Sequence, residues 1–336
     1  MHQQDSSTLV LFSERPEWAD VTPLEQYEGV NPLAPIYYSE EYKDATSYFR
    51  GIVKAGEMSP RVLELTEAII RMNPAHYSAW QYRYKTLLEL NNPLDDELAL
   101  MDEIAVKHLK TYQVWHHRRL LVARTREPAR ELAFLSRSLR ADTKNYHTWS
   151  YRQWLLAYFN EDTLWERELD FVGDLLEEDL RNNSAWHHRF FVVFQSGVRK
   201  GDEDRGAVAQ REISFAKQYI AKAPNNASVW NYLRGVLEHS KIPFSELQIF
   251  VTPYTLPQRS EDDAPAEVID LENPLPSKLA QLPCVAAIEF LADVHEAAGG
   301  DSIMKATELW KLLADEHDTI RKKYWEYRIR EALRTV

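Results

Sequence analysis

The sequence predicts an all-α protein, an α-α superhelix of tandem helical hairpins with a crescent shape. Three observations predict this fold. Glycine is scarce, with 10 in 336 residues, which argues against tight β-turn architectures. Tryptophan and tyrosine are abundant, with 10 and 17, and such large side chains suit packing positions that recur. A tryptophan-containing block also recurs along the chain at the spacing of a helical repeat.

The repeated block contains a tryptophan that is followed, in four of five copies, by an arginine three residues later. The copies read NPAHYSAWQYR, LKTYQVWHHR, TKNYHTWSYR, LRNNSAWHHR and PNNASVWNYL. Their tryptophans are Trp80, Trp115, Trp149, Trp186 and Trp230, separated by 35, 34, 37 and 44 residues. A weaker sixth copy surrounds the tryptophan of RKKYWEYR, near the C-terminus. This period predicts helix pairs that stack one after another.

Each block predicts the second helix of a hairpin, because a polar capping residue is followed by apolar residues at helical spacing. The predicted caps are Asn73, Thr111, Asn145, Asn183 and Asn226. Amphipathic stretches between the blocks predict the first helices, which begin at Arg61, Leu94, Ala129, Leu164 and Ala207. A tryptophan and an arginine three residues apart share one side of a helix, so we expect both to have a packing role, with the guanidinium meeting acidic residues or helix-terminal carbonyls.

The chain is predicted to divide into four regions. Residues 1–35 contain four prolines and predict an extended N-terminal arm, and residues 36–240 predict the hairpin crescent. Residues 241–280 predict an acidic, proline-rich insertion loop with poor order. Residues 281–336 restore helix pairing and are expected to complete the superhelix.

Composition and motifs exclude several classes of function. The net charge of -12 disfavours nucleic-acid binding, which depends on lysine and arginine. Cys284 is the only cysteine, which excludes an internal disulfide and fits a reducing, cytoplasmic location. No run of about 18 apolar residues predicts a membrane span, and no secretory signal is recognisable at the start.

Two pairs of adjacent histidines suggest a metal site at first sight. Adjacent helical residues point about 100° apart, however, so neither the pair at 116–117 nor the pair at 187–188 can chelate a metal alone. Zinc-binding HExxH and Cys/His spacings, phosphate-binding glycine loops and GxSxG elbows are absent from the sequence. The sequence therefore predicts no metal site in this chain and favours a surface that serves a partner.

The candidate site consists of residues that the repeat itself does not require. They precede two of the tryptophans and are Lys110, Tyr112, Gln113, Lys144, Tyr146 and His147. Because they lie at the start of predicted second helices, we expect them on one edge of the crescent. Lysine offers a point charge for phosphate, and tyrosine and glutamine offer hydrogen bonds.

These blocks resemble a known family. The repeat is similar to the protein prenyltransferase α-subunit repeat, and KTYQVWHHRRLL and KNYHTWSYRQWLL resemble the α subunits shared by farnesyltransferase and type I geranylgeranyltransferase. The resemblance covers residues 36–240 well and 281–336 more weakly. It implies an obligate heterodimer in which this chain wraps a β subunit that holds the catalytic zinc. Whether magnesium takes part is left open.

The resemblance also implies an activity and roles for the candidate residues. The heterodimer would transfer farnesyl or geranylgeranyl from its diphosphate to the cysteine of a C-terminal CaaX sequence, forming a thioether. Lys110 would reach the isoprenoid diphosphate, and Gln113 would bind the terminal carboxylate of the CaaX peptide. Tyr112, Tyr146 and His147 would line the wall of the same cleft.

Two alternatives remain open from the sequence. One is the α subunit of Rab geranylgeranyltransferase, which shares the repeat but receives its substrate through an escort protein. The other is a non-enzymatic helical-repeat scaffold, in which the lysines and tyrosines would be ordinary surface contacts. The YQVW block favours the CaaX class. Thr111, where many relatives carry asparagine, keeps a small polar residue at the cap.

Overall fold

The computed structural model describes residues 10–27, 29–257 and 270–334. These residues form helices and turns and contain no β-strand, as the sequence predicts. Two compact units divide the chain, Met1–Leu155 and Leu156–Val336.

The first unit contains the hairpins that carry the candidate site. Its helices are α1 (Glu40–Ala55), α2 (Pro60–Met72), α3 (Tyr77–Glu89), α4 (Leu94–Lys107), α5 (Tyr112–Thr125), α6 (Pro128–Ala141) and most of α7 (Tyr146–Phe159). Helix α2 packs on α3, and α4 packs on α5, as the two helices of successive hairpins. Prolines stand at the first position of α2 and α6, where a missing N–H is harmless because that N–H has no helical partner.

The second unit continues the helical pattern. Its helices are α8 (Asp162–Trp165), α9 (Glu168–Glu178), α10 (Asn183–Phe190), α11 (Arg205–Lys222), α12 (Ala227–Ser240), α13 (Gln248–Val251), α14 (Val285–Ala298), α15 (Ser302–Leu312) and α16 (Lys322–Arg334). Helices α10 and α15 each continue into a π-helical turn, Phe191–Gln195 and Leu313–His317. Helix α11 packs on α12, and α14 packs on α15.

Each repeat tryptophan closes the turn in front of its own helix. All five are at least 95% buried, and each indole N–H donates to the carbonyl six residues earlier at 2.7–2.9 Å. The accepting carbonyls belong to Pro74, Leu109, Thr143, Leu180 and Pro224. The packing role predicted for these tryptophans is confirmed. Trp325 differs, because its indole donates instead to the carboxylate of Asp318 at 3.0 Å.

The arginines that follow the tryptophans bind acidic residues of the next hairpin, one of the two predicted types of partner. Three buried pairs have two hydrogen bonds each, at 2.6–3.1 Å, and join Arg83 to Glu97, Arg118 to Glu131 and Arg189 to Glu212. The pairs therefore connect successive hairpins through bidentate arginine–carboxylate contacts.

Two of these acids, and Glu168 as well, also bind a residue within their own hairpin. Three contacts of this kind, at 2.7–2.8 Å, join Glu97 to His117, Glu168 to His188 and Glu212 to Tyr232. The second residue after the tryptophan thus turns inward in these repeats and is fixed by a buried carboxylate.

Two of the predicted caps are displaced. The side chains that cap α3 and α10 are His76 and Asn182, not Asn73 and Asn183. Asn73 instead ends α2, where its carboxamide accepts from the N–H of Ala75. The reason is that the turn before each second helix needs its own hydrogen bonds, and polar residues at several positions can supply them.

The remaining predicted caps precede their helices as expected. Asn145 accepts from the N–H of Thr148, and Asn226 accepts from that of Ser228. Thr111 precedes α5, but its side chain makes no capping hydrogen bond.

The segment before α1 is anchored in the first unit. Two short 3₁₀ turns, Phe12–Glu14 and Pro16–Trp18, bury Phe12 and Trp18. The N–H of Phe12 donates to the Asp44 carboxylate at 2.6 Å, and the Trp18 ring contacts Tyr48 edge-on.

Part of the predicted insertion loop is helical. Short helical turns extend over residues 244–255, and Phe250 and Tyr254 are buried against Trp230. The prediction was wrong for these residues, because apolar side chains there have a core to pack on. The acidic run that motivated the loop, at 261–263, lies outside the described residues. The division into four regions stays a prediction.

Candidate functional site

Lys110 lies in the turn between α4 and α5, two residues before α5 begins. Its side chain is exposed and makes no hydrogen bond or ion pair with any residue in the described parts of the chain. The ammonium group is therefore available to an anion from outside the chain. Gln113, the second residue of α5, is partly exposed on the same end of the helix.

The start of α5 adds to the positive potential that the Lys110 ammonium group creates. Because the side chain of Thr111 caps nothing, the first N–H groups of this 14-residue helix receive no side-chain acceptor from the capping position. Free N–H groups and the helix dipole favour an anion at a helix N-terminus. Lys110 and the N-terminus of α5 thus both favour binding of an anion at this turn.

Three of the candidate residues form an aromatic cluster. The rings of Tyr112 and His147 meet nearly at right angles with centroids 4.3 Å apart, and Tyr146 meets His147 at 5.6 Å. Partial burial lowers the pKa of His147 below its usual value, so the imidazole is mainly neutral near pH 7. Tyr112 and Tyr146 are 68% and 70% exposed, and their hydroxyls are free to meet a ligand.

Lys144 occupies the turn before α7, the position that Lys110 occupies before α5. Its side chain is exposed, and its backbone N–H donates to Asp142 at 3.4 Å. The two lysines thus hold the same place in successive repeats.

Tyr77 belongs to the same exposed edge, although the sequence reasoning missed it. It is the first residue of α3, as Tyr112 and Tyr146 are the first residues of α5 and α7, and it is 72% exposed. The signal was present in the repeat, because all three tyrosines stand three residues before the repeat tryptophan.

The paired histidines divide between surface and core. His117 and His188 are 1% and 0% exposed and each binds a buried glutamate, whereas His116 and His187 are exposed. Burial lowers the pKa of His117, against the opposing effect of Glu97, so the ring is neutral and donates to that carboxylate. The buried members are structural. Among the described residues, no group of three or more His, Cys, Asp or Glu side chains could hold a metal ion.

These features define a class of protein: an α-helical hairpin repeat with an exposed cationic and aromatic edge at the starts of its second helices. The sequence profile described as "Protein prenyltransferase alpha subunit repeat" matches five stretches of the chain. They are residues 59–90, 94–125, 128–159, 165–196 and 209–240.

The similarity extends over nearly the whole chain. The farnesyltransferase/geranylgeranyltransferase type-1 subunit alpha of Dictyostelium discoideum is 35% identical over 97% of this chain and 95% of its own length. The solved structure of Candida albicans protein geranylgeranyltransferase-I complexed with GGPP matches with a TM-score of 0.77 and 32% identity, covering 93% of this chain and 97% of that one. The geranylgeranyl transferase type-2 subunit alpha of Mus musculus is 30% identical over 58% of this chain and 37% of its own length. The chain belongs to the protein prenyltransferase alpha subunit family.

No helix among the described residues is long and apolar enough to cross a membrane.

Proposed function

We propose that this chain is the α subunit of a heterodimeric CaaX prenyltransferase of the farnesyltransferase and geranylgeranyltransferase type I class. The observation that carries the proposal is the similarity to α subunits named for that class, which covers 97% of the chain. The type-2 α subunit matches only 37% of its own length, which favours the type I class. Lys110 is exposed at the start of α5 and has no partner among the described residues, so it can supply the positive charge that this function needs from an α subunit.

The proposed reaction joins a cysteine sulfur to an isoprenoid. A thiolate of the CaaX peptide attacks C1 of the isoprenoid diphosphate, a C–S bond forms, and the bond from C1 to oxygen breaks. The diphosphate leaves with the electron pair and gains negative charge in the transition state. A zinc ion held by the β subunit, as the family resemblance implies, would lower the thiol pKa. Magnesium dependence is a separate question for the assay.

The residues of this chain act on the leaving group and on the peptide. Lys110 places a full positive charge where the diphosphate departs, and the α5 dipole adds to it. Gln113 donates from its amide to the terminal carboxylate of the peptide. Tyr112, Tyr146 and His147 form an aromatic wall for the substrates, and Lys144 provides a second cation at the equivalent turn.

The decisive experiment is co-expression with candidate β subunits, followed by transfer assays on CaaX peptides and on a Rab substrate. We expect transfer of farnesyl or geranylgeranyl to CaaX peptides. Transfer to Rab alone, with an escort protein present, would assign the chain to the other class. Assembly without any transfer would favour the scaffold. Fractionation of cells tests the cytoplasmic location, which the single free cysteine suggests.

Lys110→Ala tests the role of the ammonium group. We expect the single-turnover rate constant of the purified heterodimer to fall about 100-fold, because one electrostatic donor to a developing charge is worth about that much. Heterodimer yield should be unchanged. Lys85→Ala is the matched control, since Lys85 is an exposed lysine on α3 without a described partner. Equal loss of assembly and activity in Lys110→Ala would contradict the assignment.

A further inference from the structure

The peptide that carries Lys110 is held by the indole of Trp115. The indole N–H donates to the carbonyl of Leu109 at 2.8 Å. That carbonyl and the N–H of Lys110 belong to one planar peptide unit, so the bond fixes the plane from which the lysine side chain departs. Trp115 is itself 5% exposed, and its ring packs on Tyr151 with centroids 5.3 Å apart. A buried side chain therefore fixes the backbone from which an exposed one departs.

The equivalent turns of later repeats have additional bonds that this turn lacks. Before α7, the Asp142 carboxylate accepts from the N–H of Lys144, and Asn145 caps the helix through Thr148. The turn before α10 repeats this arrangement, with Asp179 accepting from Arg181 at 2.9 Å.

In the turn at 108–111, His108 stands where the turns before α7 and α10 have aspartate, and Thr111 stands where those two turns have asparagine. Within the described parts of the chain, the indole of Trp115 is the only side chain that hydrogen-bonds to this backbone. Loss of that bond removes a larger share of the hydrogen bonds to the turn here than in the turns before α7 and α10.

We infer that Trp115 is a positioning residue for Lys110, and that its indole N–H holds the ammonium group in line with the departing diphosphate. This inference rests on the proposed function. Positioning matters because a displacement of about 1 Å can cost about 100-fold in rate. The tryptophan of the repeat thus has a catalytic consequence in this copy beyond the packing role that all copies share.

Trp115→Phe removes the N–H while keeping an aromatic ring. In single-turnover assays of the heterodimer we expect the rate constant to fall about tenfold. The matched control is Trp186→Phe, which loses the same type of bond, to Leu180 at 2.9 Å, in a turn that Asp179 and Asn182 also hold. The control variant should stay within about twofold of the wild-type rate constant. Equal slowing in both variants would mean a general effect of truncating a repeat tryptophan and would overturn the inference.

A double-mutant cycle separates positioning from a purely structural effect. If Trp115 acts through Lys110, Trp115→Phe causes no further loss in the Lys110→Ala background. A tenfold loss in both backgrounds would contradict the inference while leaving the role of Lys110 intact. Lack of any effect of Lys110→Ala would instead remove the proposed role of the lysine.

Rescue provides an independent test within the same fold. His108→Asp together with Thr111→Asn copies the arrangement of Asp142 and Asn145 into the turn at 108–111. Added to Trp115→Phe, this pair should return the rate constant to within about threefold of wild type. The pair also compensates for lost turn stability, so it allows the measurement if Trp115→Phe alone assembles poorly. A rescued yield with a rate constant still about tenfold low would refute positioning by this turn.

Discussion

The outward-facing and inward-facing residues of α5 differ in what their side chains do, although they lie in one helix. At the start of the helix, Tyr112 is 68% exposed, and its ring meets that of His147. One turn later, His117 and Arg118 are 1% and 2% exposed, and each binds a buried glutamate. The first residue of α5 is therefore open to another molecule, whereas His117 and Arg118 in the same helix are engaged within the hairpins.

This difference separates residues whose identity the fold requires from residues whose identity the fold does not determine. A buried charge must be paired, because an unpaired ion in a protein interior costs several kcal/mol. The identity of the buried charged residues of the repeat is therefore constrained by the residues that pair with them. The outer edge carries no such constraint, so the identity of Lys110 or Tyr112 can follow the needs of a substrate. Substitutions of inward-facing residues should mainly lower stability, and substitutions at the outer edge should mainly lower activity.

Glu97→Ala should have the largest effect on stability. The carboxylate is 3% exposed and binds both Arg83 and His117, so its removal leaves a buried guanidinium without its main partner. We expect the free energy of unfolding to fall by about 3–5 kcal/mol in urea denaturation of the full chain. Glu103→Ala, on the same helix but with exposed ion pairs to Arg71 and Lys107, serves as the control and should change little. Similar losses in both variants would erase the distinction between buried and exposed pairs.

Acid pH should lower the stability that the buried cluster of Glu97, Arg83 and His117 provides. Burial alone would raise the pKa of Glu97, but hydrogen bonds from His117 and Arg83 outweigh it and hold the pKa at about 2. Burial lowers the pKa of His117, with Arg83 and His116 acting in the same direction and Glu97 opposing. For both groups the unfolded chain binds protons more readily than the folded chain, so stability rises with pH.

The window of this pH effect follows from the two shifts. The His117 contribution is lost as the pH falls below about 6.5, and the Glu97 contribution is lost between about 4.5 and 2. The Glu97 contribution alone should remove about 2 kcal/mol between pH 4.5 and pH 3, and the His117 contribution adds to this loss. Urea midpoints of wild type and of a Glu97→Gln, His117→Asn variant, measured across that range, test this. A variant with the wild-type pH profile would show that other groups dominate.

Much of the fold could be predicted because the repeat is encoded locally. Tryptophans at a period near 35 and apolar residues at helical spacing predict the hairpins, and the structure has both. The helical turns at 244–255 could not be predicted, because they depend on packing against Trp230, which is distant in sequence. Which histidine of each pair is buried was also missed, because its glutamate lies 20 residues earlier.

The sequence does contain a signal for which histidine of each pair is buried. Four glutamates stand 18 residues before four of the repeat tryptophans, and they are Glu97, Glu131, Glu168 and Glu212. A fixed acid at a fixed distance predicts a buried partner for the residue that follows each tryptophan by two. The candidate site is harder to predict, because exposed residues carry no such internal partner, and there the family resemblance supplied the proposed roles.

Tyr232→Phe should have a moderate effect on stability. The hydroxyl donates to Glu212 at 2.7 Å in a buried site, and its loss removes one hydrogen bond to a charged group. We expect a loss of about 2 kcal/mol in the free energy of unfolding. Tyr77→Phe, which removes a hydroxyl from a side chain that is 72% exposed, should stay within about 0.5 kcal/mol. Equal losses in the free energy of unfolding for Tyr232→Phe and Tyr77→Phe would contradict the distinction between buried residues and the exposed edge.

Tyr112→Ala should have the smallest effect on stability and a clear effect on the substrate. The removed ring is 68% exposed and has an edge contact with His147, so the free energy of unfolding should fall by less than about 1 kcal/mol. In the heterodimer, KM for a CaaX peptide should rise about fivefold with a smaller change in kcat, because the ring contributes to binding both before and during reaction. Tyr327→Ala, on α16 and 50% exposed, is the control and should leave KM unchanged. A large loss of stability with unchanged KM would place Tyr112 with the inward-facing packing residues of α5 and would contradict its assignment to the substrate-binding edge.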